Sequence, residues 1–366
     1  MRIVPLTEDL VPALRAFLAR LTAAGRRETF NSTPNTPWPE GPLPPPYARQ
    51  NYVVLQDDVV RGAYGLRYDH FQFGERVLAL ANYAMPLSEG IIDRRFALVG
   101  VLMLQDAMKR EPLLYGIGGG GTGGSSPRLV LRLKWQAHDI PFYFRLLRGG
   151  SAAGEIRALR QHRRIGPALR LPGGAMLASL ALQAAALRLP VFTRGAETRV
   201  IDSFGPEADE LWDAARHGYA LLNVRAASHL RLNFPAASRS LTRLLVSRNG
   251  RTLGFAVLKV GVLQEHFGAL RVGTIVDLFG HVEEADVVAK LAVEHLRTAG
   301  AGILVTNQLH PAWRQAMVRN GFLPGPSQYP FFASPATVAL LAPFDGVMAR
   351  AHFTRGDGDG VRGEIS

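Results

Sequence analysis

The order of predicted elements repeats once along this 366-residue chain. Each half runs through a helix, antiparallel strands, a long strand, a helix, a short buried strand, another helix and a further strand. In the first half the long and short strands are Arg76 to Met85 and Leu113 to Ile117. Their counterparts are Leu270 to Leu278 and Ile303 to Thr306. This order predicts an α+β protein with two tandem domains, each a mixed, mostly antiparallel sheet flanked by helices.

A change in composition separates the two halves. A single core usually stops growing near about 250–300 residues, so a chain of this length is expected to form two domains. Residues 149–199 are rich in Gly and Arg and contain an apolar helix from Met176 to Leu189. We therefore predict a first domain over 1–148, a basic linker over 149–199, a second domain over 200–342 and a C-terminal tail over 343–366.

Composition also narrows the chemistry. The chain has no cysteine, which excludes disulfides, thiolate metal sites and cysteine nucleophiles. It lacks the serine hydrolase pattern Gly-x-Ser-x-Gly and the zinc peptidase pattern His-Glu-x-x-His, and we predict no metal site. No stretch reaches about 18 uncharged apolar residues and no secretory segment follows Met1, so a cytoplasmic location is expected.

The net charge of +12 predicts an anionic partner such as nucleic acid, anionic lipid, a phosphorylated substrate or coenzyme A. Ten arginines lie between Arg145 and Arg199 against two acidic residues, although a general arginine bias of a GC-rich genome would also explain them. Five of the ten lie between Arg157 and Arg170, just before the apolar helix. A basic segment beside an apolar helix is typical of a peripheral membrane anchor, here on the inner membrane face. The alternative is a helix packed between the domains.

The repeated element order resembles the GNAT fold of acyl-CoA N-acyltransferases, over about residues 1–148 and 200–342. In that family the central strand and the next strand splay apart, and acyl-CoA inserts its pantetheine arm there. Its pyrophosphate rests on N–H groups at the start of the following helix. The tandem arrangement is similar to that of acetyltransferases found with bacterial exopolysaccharide genes and, more distantly, to the peptidoglycan-bridge aminoacyltransferases.

This resemblance implies an N-acyltransferase that uses acetyl-CoA or another acyl-CoA as substrate. It also implies direct attack of an amine on the thioester, with an amino sugar or another envelope precursor as the acceptor. Two alternatives remain open. One is an aminoacyltransferase that takes aminoacyl-tRNA, which would be the only nucleic-acid partner. The other is a noncatalytic GNAT-like scaffold.

The family's pyrophosphate loop normally has the pattern Arg-x-x-Gly-x-Gly/Ala, and neither half of this chain matches it. The first half has Gly90, Arg94 and Arg95 in the corresponding stretch, without this spacing. The second half has four acids there, which would repel a pyrophosphate. The first domain is therefore the better predicted CoA site, and the second is better suited to an acceptor. The four acids are Asp277, Glu283, Glu284 and Asp286.

A glycine run between a strand and a helix is the second predicted CoA contact. Glycines let the backbone approach a ligand closely, and successive N–H groups can form an anion nest. The alternatives are a flexible surface loop for the glycines and a solvated helix turn for the arginines. The candidate cofactor-binding residues are Arg94, Arg95, Gly118, Gly119, Gly120, Gly121 and Ser125.

Proton transfer needs a side chain that accepts the amine's proton and one that protonates the CoA thiolate. Asp277 follows the long strand of the second half, and Asn307 and His310 follow its short strand. Tyr83 lies on the long strand of the first half. These four residues are the candidate catalytic residues. Alternatively, Asp277 pairs locally, Asn307 and His310 cap a helix, and Tyr83 belongs to the core or a groove wall.

Overall fold

The computed structural model describes residues 1–26, 29–39, 41–118, 125–149, 152–161, 165–188 and 190–358. The chain divides into two compact units. The first unit contains Met1–Asp139 and Gln328–Met348. The second contains Ile140–Ser327 and the C-terminal segment that starts at Ala349. Each unit has its own mixed sheet flanked by helices, so the predicted α+β class is confirmed.

The first unit contains seven strands of one sheet among its described residues. Its helices follow the strands as the sequence order predicts, with α1 before the first long hairpin and α2 between the parallel strands. The strands are β1 (Arg2–Pro5), β2 (Arg49–Gln56), β3 (Val59–Phe73), β4 (Arg76–Ser88), β5 (Leu114–Ile117), β6 (Gln136–Asp139) and β15 (Pro330–Ala333). The helices are α1 (Val11–Ala23), α2 (Val99–Arg110), α3 (Ser125–Arg132), α12 (Pro335–Leu340) and α13 (Phe344–Met348).

The second unit repeats this plan and adds short helices. Its strands are β7 (Phe142–Leu146), β8 (Ala196–Ile201), β9 (Leu221–Asn223), β10 (Leu241–Arg248), β11 (Arg251–Val262), β12 (Arg271–Gly280), β13 (Ile303–Asn307) and β14 (Leu323–Gly325). Its helices are α4 (Arg157–Gln161), α5 (Ile165–Leu169), α6 (Gly174–Ala185), α7 (Pro206–Ala215), α8 (Ala227–Asn233), α9 (Gln264–Phe267), α10 (Ala285–Thr298) and α11 (Pro311–Arg319).

The two sheets have the same topology. The first follows the order β1-β2-β3-β4-β5-β15-β6, and the second follows β8-β10-β11-β12-β13-β7-β14. In each, the fourth and fifth strands of this order pair in parallel, and every other neighbouring pair is antiparallel. The repetition expected from the sequence is therefore present in the strand order and strand directions.

The last strand of each half lies in the sheet of the other half. The sequence predicts that Pro141 to Leu147 ends the first domain and that Tyr329 to Phe332 belongs to the second. Instead β7 pairs with β13 and β14, and β15 pairs with β5 and β6. The order of elements cannot reveal this exchange, because either strand offers the same backbone hydrogen bonds to either sheet. The units therefore divide the chain differently from the predicted boundaries.

The predicted linker is part of the second unit. Ala152, Ile156 and Leu169 are buried against strand residues of the second sheet, among them Val272 and Val305. The segment also contains most of β8 (Ala196–Ile201), the first strand of that sheet, although the prediction places 149–199 outside both domains. Both first strands, β1 and β8, are edge strands without a strong apolar alternation, which is why sequence patterns missed them.

One further element differs in type. Its aliphatic side chains predict that Val338 to Leu341 is a terminal strand, whereas these residues lie at the C-terminal end of helix α12. The Ser334 hydroxyl oxygen accepts the Thr337 N–H at 3.3 Å, and Pro335 occupies the first helical turn, so local capping decides this element. Within the described part of the chain, no helix is long and apolar enough to cross a bilayer.

Candidate functional site

In the first unit, strands β4 and β5 pair in parallel over only two residues each. Ala81 pairs with Leu114 and Asn82 with Tyr115. Among the described residues the two strands form no further pairs, and Tyr83 is the first β4 residue past the paired section. The GNAT resemblance predicts that a pantetheine arm would enter at such a point between the two strands.

A buried polar network lies beside the paired section of β4 and β5. The Arg67 guanidinium is 2.8 Å from the Asp69 carboxylate, and the Tyr115 hydroxyl donates to the same carboxylate. All three side chains are at most 2% exposed. A buried ion pair that keeps its hydrogen bonds holds its partners in one arrangement, so β5 is anchored to β3 where the divergence begins.

The β4 strand is irregular just beyond Tyr83. Its register against β3 shifts between Ala63 and Gly65, and Met85 adopts a left-handed backbone conformation with φ 49°. Pro86 follows directly and has no N–H to contribute to the ladder. This bulge interrupts the pairing with β3, which resumes at Leu87 and Ser88 before the loop that leads to α2.

That loop, Ser88–Leu98, is held by a buried carboxylate. Glu89 is 5% exposed and binds Arg20 at 2.8 Å and Arg61 at 2.9 Å. Burial by itself would raise the pKa of Glu89, but the hydrogen bonds from the two guanidinium groups outweigh it and lower the pKa. Gly90 packs against the loop's own backbone, since a Cβ there would lie 2.6 Å from the Phe96 carbonyl oxygen.

The structure places Arg94 and Arg95 on the exposed side of this loop, directly before α2 begins at Val99. The Asp93 carboxylate accepts the Arg95 backbone N–H at 3.0 Å and the Arg95 guanidinium at 2.6 Å. These hydrogen bonds lower the pKa of Asp93. Two exposed arginines therefore shortly precede the N-terminus of α2, and a helix N-terminus itself favours anions.

Tyr83 is half-buried and packs on Tyr64, with ring centroids 5.5 Å apart. Burial, together with the charge of Asp106, raises the pKa of the Tyr83 phenol well above its ordinary value. The phenol therefore stays protonated at neutral pH. In this state it can donate a proton but not accept one as a base, and the raised pKa makes it a weaker acid than a solvated phenol.

The glycine run lies mostly outside the described residues. Gly119, Gly120 and Gly121 are among those not described, as is the side chain of Ser125, whose backbone opens α3. Gly118 adopts φ 86°, and its N–H donates to the Pro330 carbonyl at 2.9 Å. The predicted anion nest stays a prediction.

In the second unit, Asp277 belongs to a closed ion network. Arg225 binds both Asp277 oxygens at 3.1 Å and the Asp357 carboxylate at 3.0 Å. The Thr354 hydroxyl donates to Asp277 at 2.9 Å. With Asp277 only 2% exposed and both oxygens engaged, its geometry is that of the local pairing considered as the alternative to catalysis.

Asn307 and His310 are also engaged in the protein's own hydrogen bonds. The Asn307 amide donates to the Ile140 carbonyl at 3.1 Å. His310 Nδ1 accepts the Ala312 N–H at 3.3 Å and caps α11, as the alternative to a catalytic role proposes. Burial, with the nearby charge of Arg350, lowers the pKa of His310 to about 4, so the ring is neutral at pH 7.

The acidic stretch after β12 is partly neutralised by arginines. Glu284 binds Arg248 at 2.8 Å, and Asp286 binds Arg319. Glu283 remains largely exposed. Unlike Arg94 and Arg95, these side chains place carboxylates at the start of a helix, with Arg248 and Arg319 paired to two of them.

Sequence patterns missed three groups that organise these sites: Glu89, Arg225 and Asp357. The sequence did contain a signal for Arg225. A lone arginine directly after the apolar run of β9 indicates a buried cation, which requires a buried counter-charge. Glu89 and Asp357 had none, since each lies in a polar, glycine-containing stretch typical of a surface turn.

Comparisons with known proteins agree with the fold. No protein-family model matches the sequence, and no curated protein matches it significantly. Among solved structures, the chain is similar to a conserved protein of unknown function from Enterococcus faecalis V583, described as a probable N-acyltransferase. The TM-score is 0.54 at 10% identity, covering 93% of this chain and 74% of that chain. At this identity the similarity shows a shared fold.

Two GNAT proteins are also similar. For the tandem GNAT protein from the clavulanic acid biosynthesis pathway, the TM-score is 0.47 at 16% identity, covering 92% of this chain and 98% of that chain. For a GCN5-related N-acetyltransferase from Anabaena variabilis, the TM-score is 0.46 at 10% identity. The similarity covers 77% of this chain and 62% of that chain. The fold similarity that these comparisons show rests on the Enterococcus faecalis protein, since the TM-scores of the two GNAT proteins lie below 0.5.

Proposed function

We propose that this protein is an acyl-CoA-dependent N-acyltransferase that binds acyl-CoA in the first unit, where β4 and β5 diverge. The observation that supports this most is the Ser88–Leu98 loop, which connects the opening to the N-terminus of α2 and carries Arg94 and Arg95 on its exposed side. Guanidinium groups form strong charge-assisted hydrogen bonds to phosphate oxygens. The pantetheine arm would then enter between the diverging strands.

The transfer itself requires positioning and two proton movements. The neutral amine attacks the thioester carbonyl carbon, the new C–N bond forms, and the C–S bond breaks to release the CoA thiolate. The amine loses one proton and the thiolate gains one, so the products are an amide and free CoA. We assign the donation to the Tyr83 phenol, because it lies where the pairing of β4 and β5 ends and stays protonated at neutral pH. The proton that the amine releases then returns to the Tyr83 phenolate, which restores the phenol.

For the acceptor we propose an amine on an amino sugar or another envelope precursor, with acetyl-CoA as the first acyl donor to try. The resemblance to exopolysaccharide-associated acetyltransferases supports this acceptor class. Our assignment of catalysis to the first unit removes Asp277, Asn307 and His310 from the reaction. In this proposal they stabilise the second unit.

Calorimetric titration with acetyl-CoA and with free CoA tests the proposal. Replacing both Arg94 and Arg95 with Ala should weaken binding by roughly 2–4 kcal/mol if both contact phosphate, which corresponds to about 30-fold or more. The matched control is Arg15→Ala/Arg76→Ala, which removes the same charge from exposed positions of the same unit. Unchanged affinity in the first double variant would reject this placement.

The same titration separates the two alternative functions. Retardation of tRNA by the wild-type chain without acyl-CoA binding would favour the aminoacyl-tRNA-dependent transferase, which the basic segment would suit. Binding of neither ligand would favour the noncatalytic scaffold.

We further propose that helix α6 attaches the protein peripherally to an anionic membrane surface. Ser179 on one face is fully buried, whereas Met176, Leu177 and Leu180 on the other face are 47–64% exposed. Exposed arginines precede and follow the helix, at Arg170 and Arg188 among others. An apolar face flanked by cations complements anionic lipid headgroups over an acyl layer.

Liposome co-sedimentation tests this attachment. Anionic vesicles should bind the protein at low salt, neutral vesicles should not, and high salt should release it. Leu177→Ser/Leu180→Ser should abolish binding, while Leu232→Ser/Val262→Ser, at equally exposed positions elsewhere in the second unit, should leave it intact. Absence of binding to anionic vesicles at low salt would reject the attachment.

A further inference from the structure

The second unit also has diverging parallel strands at its centre. β12 and β13 pair from Val272–Ile303 to Thr274–Val305, and the strands separate beyond these pairs. This is the position at which a pantetheine arm would enter, by analogy with β4 and β5. What lies beyond the divergence therefore decides whether the second unit can also bind acyl-CoA.

The chain's own C-terminal segment, residues 350–358, lies at this divergence. On the β12 side, the His352 Nε2–H donates to the Leu278 carbonyl at 2.6 Å. On the β13 side, the Leu309 N–H donates to the Phe353 carbonyl at 3.1 Å, and Thr354 forms an antiparallel bridge with Gln308. The segment thus contacts β12 through a side chain and the stretch after β13 through its backbone. Its other backbone bonds are to residues 220–222, where the Ala220 N–H donates to the Arg350 carbonyl at 3.0 Å and the His352 N–H donates to the Leu221 carbonyl at 2.8 Å.

The inserted segment leaves little room for another ligand. Ala351, His352, Phe353 and Thr354 are all fully buried. At Gly356 even a methyl group would lie 3.2 Å from Asp277 Cβ and 3.4 Å from the Val276 carbonyl oxygen. A pantetheine arm could enter here only if this segment moved out.

Ionic contacts hold the segment in place. Arg225 binds Asp277 of β12 and Asp357 of the segment at the same time, at 3.0–3.1 Å. The Thr354 N–H also donates to Asp357 at 2.7 Å, which closes a capping box. All of these side chains are at most 2% exposed, and removing one partner of a buried pair leaves its counter-charge uncompensated.

We infer that the C-terminal segment seals the acyl-CoA position of the second unit, so that each chain binds one acyl-CoA, in the first unit. This inference rests on the proposed function. The charges agree with it, because the network in the seal contains two carboxylates and one guanidinium. The helix start nearby carries Glu283, Glu284 and Asp286 in place of exposed arginines.

Two measurements test the seal. Calorimetry with acetyl-CoA should give one site per full-length chain, and Arg94→Ala/Arg95→Ala should weaken that single site without revealing a second. Two sites in the wild type, or unchanged affinity in the double variant, would overturn the inference. A wild-type chain that binds no acetyl-CoA would overturn the proposed function, and the seal would then be judged by hydrogen exchange.

Hydrogen exchange followed by mass spectrometry measures the seal without any ligand. The amides of residues 351–354 should exchange at least about 1,000-fold more slowly than in an unstructured peptide, and saturating acetyl-CoA should not accelerate them. Asp357→Ala, which removes an acceptor for the Thr354 N–H, should accelerate their exchange at least about tenfold. Asp213→Ala, an exposed carboxylate of the same unit, should have no effect. Rapid exchange in the wild type would overturn the seal.

Discussion

Residues of opposite charge follow the equivalent central strand of the two units, which is β4 in the first and β12 in the second. In the first, β4 leads into a loop whose one buried carboxylate, Glu89, is held by two arginines, while Arg94 and Arg95 face solvent. In the second, β12 carries a buried carboxylate, Asp277, whose partner arginine also holds the C-terminal segment. The same strand order therefore places exposed arginines after its central strand in one copy and a piece of the chain's own C-terminal segment beside that strand in the other.

The largest expected effect is on the buried network of the second unit. Arg225→Met leaves Asp277 and Asp357 buried without their shared counter-charge, so the free energy of unfolding should fall by about 3–5 kcal/mol. Urea unfolding measures the loss. Arg239→Met, at an exposed position of the same unit, is the control. A loss below 1 kcal/mol (about the value of a surface pair) would show that this network does not hold the segment.

His310 gives the second unit a pH dependence. Its folded pKa of about 4 lies below the ordinary 6.5, so the unfolded chain takes up the proton first as pH falls. The stability is fully present above about pH 6.5 and should decline by about 3 kcal/mol as pH falls toward 4. His310→Asn keeps a capping side chain and should remove this part of the decline in urea melts at several pH values. Identical pH profiles would contradict the assignment.

A substitution at Tyr83 tests whether the reaction occurs in the first unit. If its phenol protonates the CoA thiolate, Tyr83→Phe should lower kcat about 100-fold while KM for acetyl-CoA changes little. Once an acceptor amine is found, steady-state kinetics provide the measurement. Tyr68→Phe, a buried tyrosine of the same sheet, is the matched control. Wild-type kcat in Tyr83→Phe would remove this residue from the reaction.

The smallest effect on stability is expected for a substitution in the Ser88–Leu98 loop of the first unit. Glu89→Gln should lower stability by about 1–2 kcal/mol, because the amide replaces an ionised acceptor between Arg20 and Arg61. It should also weaken acetyl-CoA binding by displacing the loop that carries Arg94. Since the folded pKa of Glu89 is lowered, its stabilisation is present above about pH 4.3 and is lost as pH falls through the folded pKa. The difference from wild type should therefore shrink in acid, and exposed Glu8→Gln should show none.

Much of the fold could be predicted from local patterns. Apolar periodicity located α2, α10 and the long hairpins, and the dipeptide Asn249-Gly250 marked the turn between β10 and β11. Apolar periodicity did not predict the edge strands β1 and β8, because few of their side chains are buried. It also did not predict helix α12, where the capping serine Ser334 outweighs the strand preference of the β-branched residues. The exposure of Arg94 and Arg95 followed from their polar context, whereas the burial of Asp277 depends on a partner 52 residues away.

The sequence by itself determined the α+β class, the repeated element order and the opposite charges after the two central strands, because these depend on neighbouring residues. Tertiary structure decided three further features: the exchange of β7 and β15, the anchoring of Glu89 and the insertion of residues 350–358 beside β12. Backbone hydrogen bonds and buried ion pairs join segments far apart in the chain. The same donors and carboxylates would suit a surface turn equally well, so only the folded arrangement selects their partners.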